Sequence, residues 1–159
     1  MKKGERMRTD VVRRGRLFGR EEPGLQEFLS SMDADRRIAK ADLLVDIAHV
    51  LMLDRQKINE RKTTKQILNI LLKLDDSELP EEVFDPRFED VHAGIESLVI
   101  EAAGSEAGGR MHMARSRNDE VATCIRLTLR MALLLQMKTI NELRLTLLSL
   151  AAKHTDSIM

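Results

Sequence analysis

Residues 118–154 read NDEVATCIRLTLRMALLLQMKTINELRLTLLSLAAKH, with neither glycine nor proline. This stretch decides the fold class. A run of some 35 residues without a breaker predicts one helix of about 52 Å at 1.5 Å per residue. Leu133, Met137, Ile140, Leu143, Leu147 and Leu150 form a stripe with helical steps of three and four. Leu134, Leu135, Leu145 and Leu148 lie off that stripe, so the apolar surface is wide. A wide apolar surface belongs to a helix surrounded by other helices. No aromatic residue follows Phe88, so leucine, isoleucine, methionine and alanine must do the packing.

Three further helices are expected upstream. From Asp33 to Leu53, the residues Ile38, Ala41, Val45, Ala48 and Met52 recur at helical spacing, with Ser30, Ser31 and Asp33 as N-cap candidates. From Thr64 to Leu74, one face carries Ile67, Ile70, Leu71 and Leu74, and Asp75-Asp76-Ser77 with Pro80 ends the helix. From Glu89 to Ala103, Val91, Ile95, Leu98, Val99 and Ala102 are apolar, and Gly104 is placed to cap the C-terminus. No segment shows the alternation of a strand. The expectation is an all-α chain: a basic tail over 1–20, a helical domain over 21–119, and a long helix over 120–159.

Composition narrows the function classes. The 159 residues carry 26 Lys+Arg and 26 Asp+Glu, so the formal net charge is zero, which argues against a general nucleic-acid binder. That neutrality hides an uneven spread. Residues 1–20 hold eight basic and two acidic side chains, a pattern that reads as a solvated tail. Four phenylalanines are the whole aromatic complement, too few for base stacking. The longest uninterrupted apolar run, Met131–Leu135, is far short of the ~20 residues of a membrane span. Cys124 is the single cysteine, which excludes an intrachain disulfide and fits a reducing cytoplasm. Its apolar surroundings predict a small buried hydrophobe.

The chemistry concentrates in residues 104–119, GSEAGGRMHMARSRND. Glycines there permit close backbone approach or positive φ. His112, Arg115, Ser116, Arg117, Asn118 and Asp119 follow, dense in hydrogen-bond donors and directly ahead of a helix N-terminus. Free N–H groups and the helix dipole favour anions at such a place, and guanidinium groups grip carboxylates in bidentate fashion. The Walker pattern is absent. The residues allow two readings: a site for a small carboxylate or phosphate, or a helix cap of Ser116, Asn118 or Asp119 flanked by solvated arginines.

Here a family resemblance enters. Glu89-Asp90-Val91-His92, Ile95-Glu96 and then GGRMHMARSRND over 108–119 resemble argininosuccinate lyases of the fumarase/aspartase superfamily. Those enzymes carry an EDIH-type segment and a G-K-L-H-T-G/A-R-S-R-N-D-Q-V-x-T-type signature. Glu120-Val121-Ala122-Thr123 continues the likeness, and upstream Arg14-Gly15-Arg16-Leu17, Phe28, Ser31, Asp35, Asp46 and Ala48-His49 add to it. Met113 stands where the family often has threonine, and Glu120 where it often has glutamine, an exchange expected to be conservative at a helix start.

The resemblance implies an all-α homotetramer built round a central helix bundle, with each active site drawn from three subunits. It implies reversible elimination of argininosuccinate to arginine and fumarate, a step of arginine biosynthesis, with no cofactor and no metal. Ser31, Asn118, Arg117, Ser116, Arg115, His112, Asp90 and His92 become the candidate substrate-binding residues. The family's catalytic histidine lies in a P-G-Y-T-H-L-Q-type segment and its catalytic serine in a G-S-S-x-M-P-type loop. Neither motif occurs in these 159 residues, so no catalytic residue is assigned and His154 is not taken as one. The chain then reads as an N-terminal portion of a longer enzyme, ending in the first long helix of a truncated bundle and inactive alone. Homo-oligomerisation through that helix is expected, with no nucleic-acid or membrane partner. The alternative is a non-enzymatic helical association module of the same superfamily. Among the other histidines, His49 reads as packed and hydrogen-bonded, and His92 as paired with the neighbouring Asp90.

Overall fold

A computed structural model describes Phe28 and residues 30–86 and 88–158. The basic segment 1–20, with Arg14–Leu17, therefore lies outside the described residues. The described chain is helical throughout: α1 (Met32–Asp35), α2 (Ala39–Arg55), α3 (Arg61–Asp75), a 3-10 turn (Glu81–Phe84), α4 (Val91–Ala103), α5 (Ser105–Gly108) and α6 (Arg117–Lys153). No strand occurs among the described residues, and the expected all-α class holds.

The helix expected from Asp33 to Leu53 is broken between Asp35 and Ala39. Arg37 and Ile38 make tight i→i−3 bonds to Ala34 and Asp35, which end α1. The side chains there have better partners elsewhere. The Asp35 carboxylate accepts from the Ser31 hydroxyl at 2.6 Å and from the Val91 amide at 3.3 Å. Arg36 lies 4.2 Å over the Phe84 ring and 3.0 Å from Glu81. Ser31 holds the N-cap position, but its hydroxyl serves Asp35 rather than a helix amide.

The inward face of α2 also differs from expectation. Ala48 is exposed, and Val45 and Met52 are only half-buried. The buried residues are Ala39, Ala41, Asp42, Leu43, Asp46, Val50 and Leu53. Asp42 and Asp46, one turn apart, point into the protein, and an apolar count assigns carboxylates to the solvent side. The α2–α3 connection closes on Lys57, which adopts φ 59°, while the Ile58 amide returns to the Leu53 carbonyl at 2.9 Å.

Helices α3 and α4 follow the expected pattern more closely. Thr64, Ile67, Leu71 and Leu74 are buried on α3, and the Ser77 hydroxyl donates to the Lys73 carbonyl beyond its end. Asp90 caps α4 by accepting from the Ala93 amide at 2.7 Å, and Gly104 ends it at φ +83°. Two glycines permit close packing here. A Cβ on Gly94 would lie 2.0 Å from the Val83 carbonyl oxygen, and one on Gly108 would lie 2.5 Å from the Ile100 Cα. Leu43, Val50, Ile67, Leu71, Val83, Val91, Ile95, Val99, Met111 and Cys124 form the core.

Only Glu120 and Cys124 of α6 are buried. Every residue from Leu129 to Lys153 is exposed, including Leu135 at 66% and Leu145 at 64%. The helix spans 37 residues, about 55 Å, and only its first turns touch the body. No helix among the described residues is long and apolar enough to cross a membrane.

Candidate functional site

The start of α6 meets α2, α4 and the turn after α5, and two groups of side chains converge there. The outer group begins with Ser116, the N-cap of α6, whose hydroxyl accepts from the Asn118 amide at 3.2 Å. Arg117 reaches back to the N-terminus of α4, with Nη1 2.5 Å from Asp90 Oδ1 and Nη2 3.5 Å from Glu96 Oε2. Ser31 joins the same end of α4 through its amide, which donates to the Glu89 carbonyl at 3.0 Å. Asn118 and Asp119 are exposed beside them.

The inner group is buried. His92 Nδ1 lies 2.8 Å from Asp42 Oδ2, so its partner is Asp42 across the core rather than the neighbouring Asp90. Asp90 is engaged by the Ala93 amide and Arg117. Arg115, with a side chain only 7% exposed, places Nη2 against both Asp46 Oδ1 and Glu120 Oε1. Its Nε lies 3.3 Å from His112 Nδ1. The Cys124 thiol donates to Asp42 Oδ1 at 3.5 Å, so the expected small hydrophobe is buried but also touches a carboxylate. His49 is packed and hydrogen-bonded as expected, its Nε2 donating to the Met113 carbonyl at 2.8 Å. In the stretch from 104 to 119, Gly104 takes the positive φ expected of its glycines, and Ala114, in the turn after α5, takes one as well at 61°.

Charge balance follows from this packing. Burial and the nearby Asp42 and Asp46 charges push Glu120 up to about 9. Burial, with Asp42 beside it, raises Asp46 to about 6 against the pull of Arg115. Burial and the charges of Arg115 and Arg117 lower His112 to about 4, so it is neutral at physiological pH. His92 goes the other way: burial opposes its charge, but the contact with Asp42 and the charges of Asp42 and Asp90 outweigh that and raise it. Burial pushes the Cys124 thiol up, away from reactivity.

The eight candidate residues thus divide between the groups. Ser31, Asp90, Ser116, Arg117 and Asn118 gather at the outer rim; His92 and Arg115 lie inside, and His112, half-buried, contacts Arg115 and Glu120 of that inner group. Arg115 is held by Asp46 and Glu120, and Arg117 by Asp90 and Glu96, so neither is simply solvated. Sequence reasoning missed Asp42, Asp46 and Glu120, whose oxygens lie within 4.8 Å of one another. Such spacing would suit a cation, and the Arg115 guanidinium already supplies one. Their signal was faint: two aspartates four residues apart in a helix, and one acid at a helix start. Glu120 is 2% exposed, so an ionisable group stands at the centre of the buried cluster.

The chain is similar to curated proteins over nearly all of its length. It is 52% identical over 153 residues to argininosuccinate lyase of Methanoculleus marisnigri, covering 96% of this chain and 31% of that protein. It is 53% identical over 150 residues to argininosuccinate lyase of Methanosphaerula palustris, 94% of this chain and 30% of that one. Against argininosuccinate lyase of Methanospirillum hungatei it is 47% identical over 153 residues. The chain spans about 30% of the length of these relatives. No family profile and no solved structure matches it.

Proposed function

We propose, from the premise that this chain is homologous to argininosuccinate lyases, that it is the substrate-anion-binding portion of such an enzyme, an N-terminal piece of the whole. The reaction is reversible elimination of argininosuccinate to arginine and fumarate. The observation that carries this reading is the identity of 52% along 96% of the chain. The non-enzymatic association module is not favoured, because the relatives at this similarity are named as the enzyme.

Elimination next to a carboxylate builds negative charge on that carboxylate, and donors fixed in advance stabilise it. Ser31, Ser116, Arg117, Asn118 and His112 are the donors at the rim that would meet the substrate. Asp90 holds Arg117, while Asp42 holds His92 and Arg115 secures the turn from below. Ser116 therefore both caps α6 and belongs to the binding rim. The acid and base of the reaction come from elsewhere in the enzyme. The exposed apolar surface of α6 supports homo-oligomerisation along this helix, a tetramer in the whole protein.

Titrating the chain with fumarate, succinate and arginine while following amide resonances tests the binding role. The expected result is saturable movement of the Ser31, Ser116, Arg117 and Asn118 amides with the dicarboxylates, weakened in Arg117→Ala. Movement confined to residues 125–153, or none at the rim, would remove it.

A further inference from the structure

The buried cluster at the start of α6 holds more acids than cations. Asp42, Asp46 and Glu120 bring carboxyl oxygens within 4.8 Å of one another, and all three side chains are buried. His92, from α4, belongs to Asp42: its Nδ1 lies 2.8 Å from Asp42 Oδ2, and 3.9 Å from Glu120 Oε1. Burial opposes a charge on His92, but the contact with Asp42 outweighs it. Arg115 Nη2 contacts Asp46 Oδ1 and Glu120 Oε1 together, so one guanidinium serves two acids. His112 adds no charge, since burial and the two arginines keep it neutral, and its Nδ1 lone pair accepts from Arg115 Nε at 3.3 Å. Cys124, one turn along α6, is a thiol that burial keeps protonated. With these pairs made, one carboxyl lacks a counter-charge in a space closed to water, where an unpaired charge is costly.

A side-chain hydrogen bond also joins the Glu120 and Asp46 carboxyls. Two carboxylates have no hydrogen to share, so one of the pair is an acid. We propose that Glu120 is a neutral acid that donates its hydrogen to the Asp46 carboxylate, and that the pair holds Arg115, making Asp46 and Glu120 positioning residues for the Ser116–Arg117 rim. Glu120 is the donor because burial and the two aspartates push it up to about 9, whereas burial with Asp42 takes Asp46 only to about 6. The charges then close: Asp42 with His92, Asp46 with Arg115, and no third carboxylate. The same contacts tie α2 to the first turn of α6 through the residue that precedes Ser116, whose hydroxyl caps that helix. The positioning role rests on the binding proposed above for the rim; the location of the proton does not.

Infrared spectra of the chain carrying carbon-13 at its glutamate side-chain carboxyls test the proton directly. At pH 7 the folded wild type should show the carbonyl band of a protonated carboxyl, shifted by the label and lost in Glu120→Gln. That band should fade as the pH rises past about 9. Absence of a label-shifted band, or its survival in Glu120→Gln, would overturn the proposal. Stability gives a second reading. At pH 7 Glu120→Gln, still neutral and able to donate to Asp46, should keep the wild-type denaturant midpoint, whereas Asp46→Asn, which strips Arg115 of its counter-charge, should lower it. Equal losses in the two variants would mean that Glu120 is charged, and would also overturn the proposal. If Glu120→Gln does not fold, the label-shifted band of the wild type decides. Without any ligand, the Ser116 and Arg117 amide resonances should move with the same alkaline midpoint in the wild type and stay still in Glu120→Gln. Rim amides indifferent to that midpoint would overturn the positioning role, whereas a failed dicarboxylate titration would remove the binding role and leave the proton where it is.

Discussion

Removing the Arg115 guanidinium would leave Asp46 and Glu120 facing each other in a space closed to water. Breaking one side of a buried ion pair costs about 3–5 kcal/mol, because the remaining charge has no solvent. Arg115→Met should therefore lower the unfolding free energy by that amount, moving the denaturant midpoint down at an unchanged slope, and an unchanged midpoint would show the cluster is not held this way. Lys57 offers the opposite case. A left-handed residue other than glycine costs about 1–2 kcal/mol, so Lys57→Gly should raise the melting temperature. At this scale the sequence was half legible. The donors of 112–118 announce themselves by density and by resemblance, whereas their pairing does not. Asp42 and His92 are 50 residues apart in the chain, and nothing local says that they touch across the core.

Helix α4 depends on Asp90 twice, as its cap and as the partner of Arg117. Asp90→Ala should cost about 0.5–2 kcal/mol in thermal stability for the lost cap and also loosen the start of α6. A variant as stable as the parent would contradict the capping role. Along α6 the expectation concerns association. Apolar side chains exposed from Leu129 onward leave a surface far larger than single scattered residues. Sedimentation should show concentration-dependent self-association, abolished by Leu143→Glu with Leu147→Glu, and a monomer at every concentration would contradict it. The long helix was legible to within a residue or two at each end, since Ser116 caps it and no breaker interrupts it. The broken α1–α2 segment and the inward face of α2 were not, because Asp35, Asp42 and Asp46 follow distant partners rather than the local period.

For the whole molecule, the buried acids set the pH response. Glu120 is raised from 4.5 to about 9, so the folded state keeps a proton that the unfolded chain has lost. Stability is fully present below pH 4.5 from this group and falls as pH rises toward 9, at about 1.4 kcal/mol per unit. Asp46, raised from 3.8 to about 6, adds the same sign between those values. His112 acts oppositely: lowered from 6.5 to about 4, it withdraws stability as pH falls through that window. Melting temperatures should therefore decline from pH 7 to 9, and less steeply in Glu120→Gln. The fold class was legible at this scale, because the helical period and the lack of strand alternation need no partner to be read. The central claim is that these residues form the substrate-anion-binding part of an argininosuccinate lyase. Its most direct test is a chimaera in which this chain replaces the matching segment of the Methanoculleus marisnigri enzyme, assayed for fumarate release from argininosuccinate. An active chimaera that loses at least about a hundredfold in kcat/KM with Arg117→Ala or Asn118→Ala, near 2.7 kcal/mol, is the predicted result. A folded chimaera with no activity, or one indifferent to both substitutions, would contradict it.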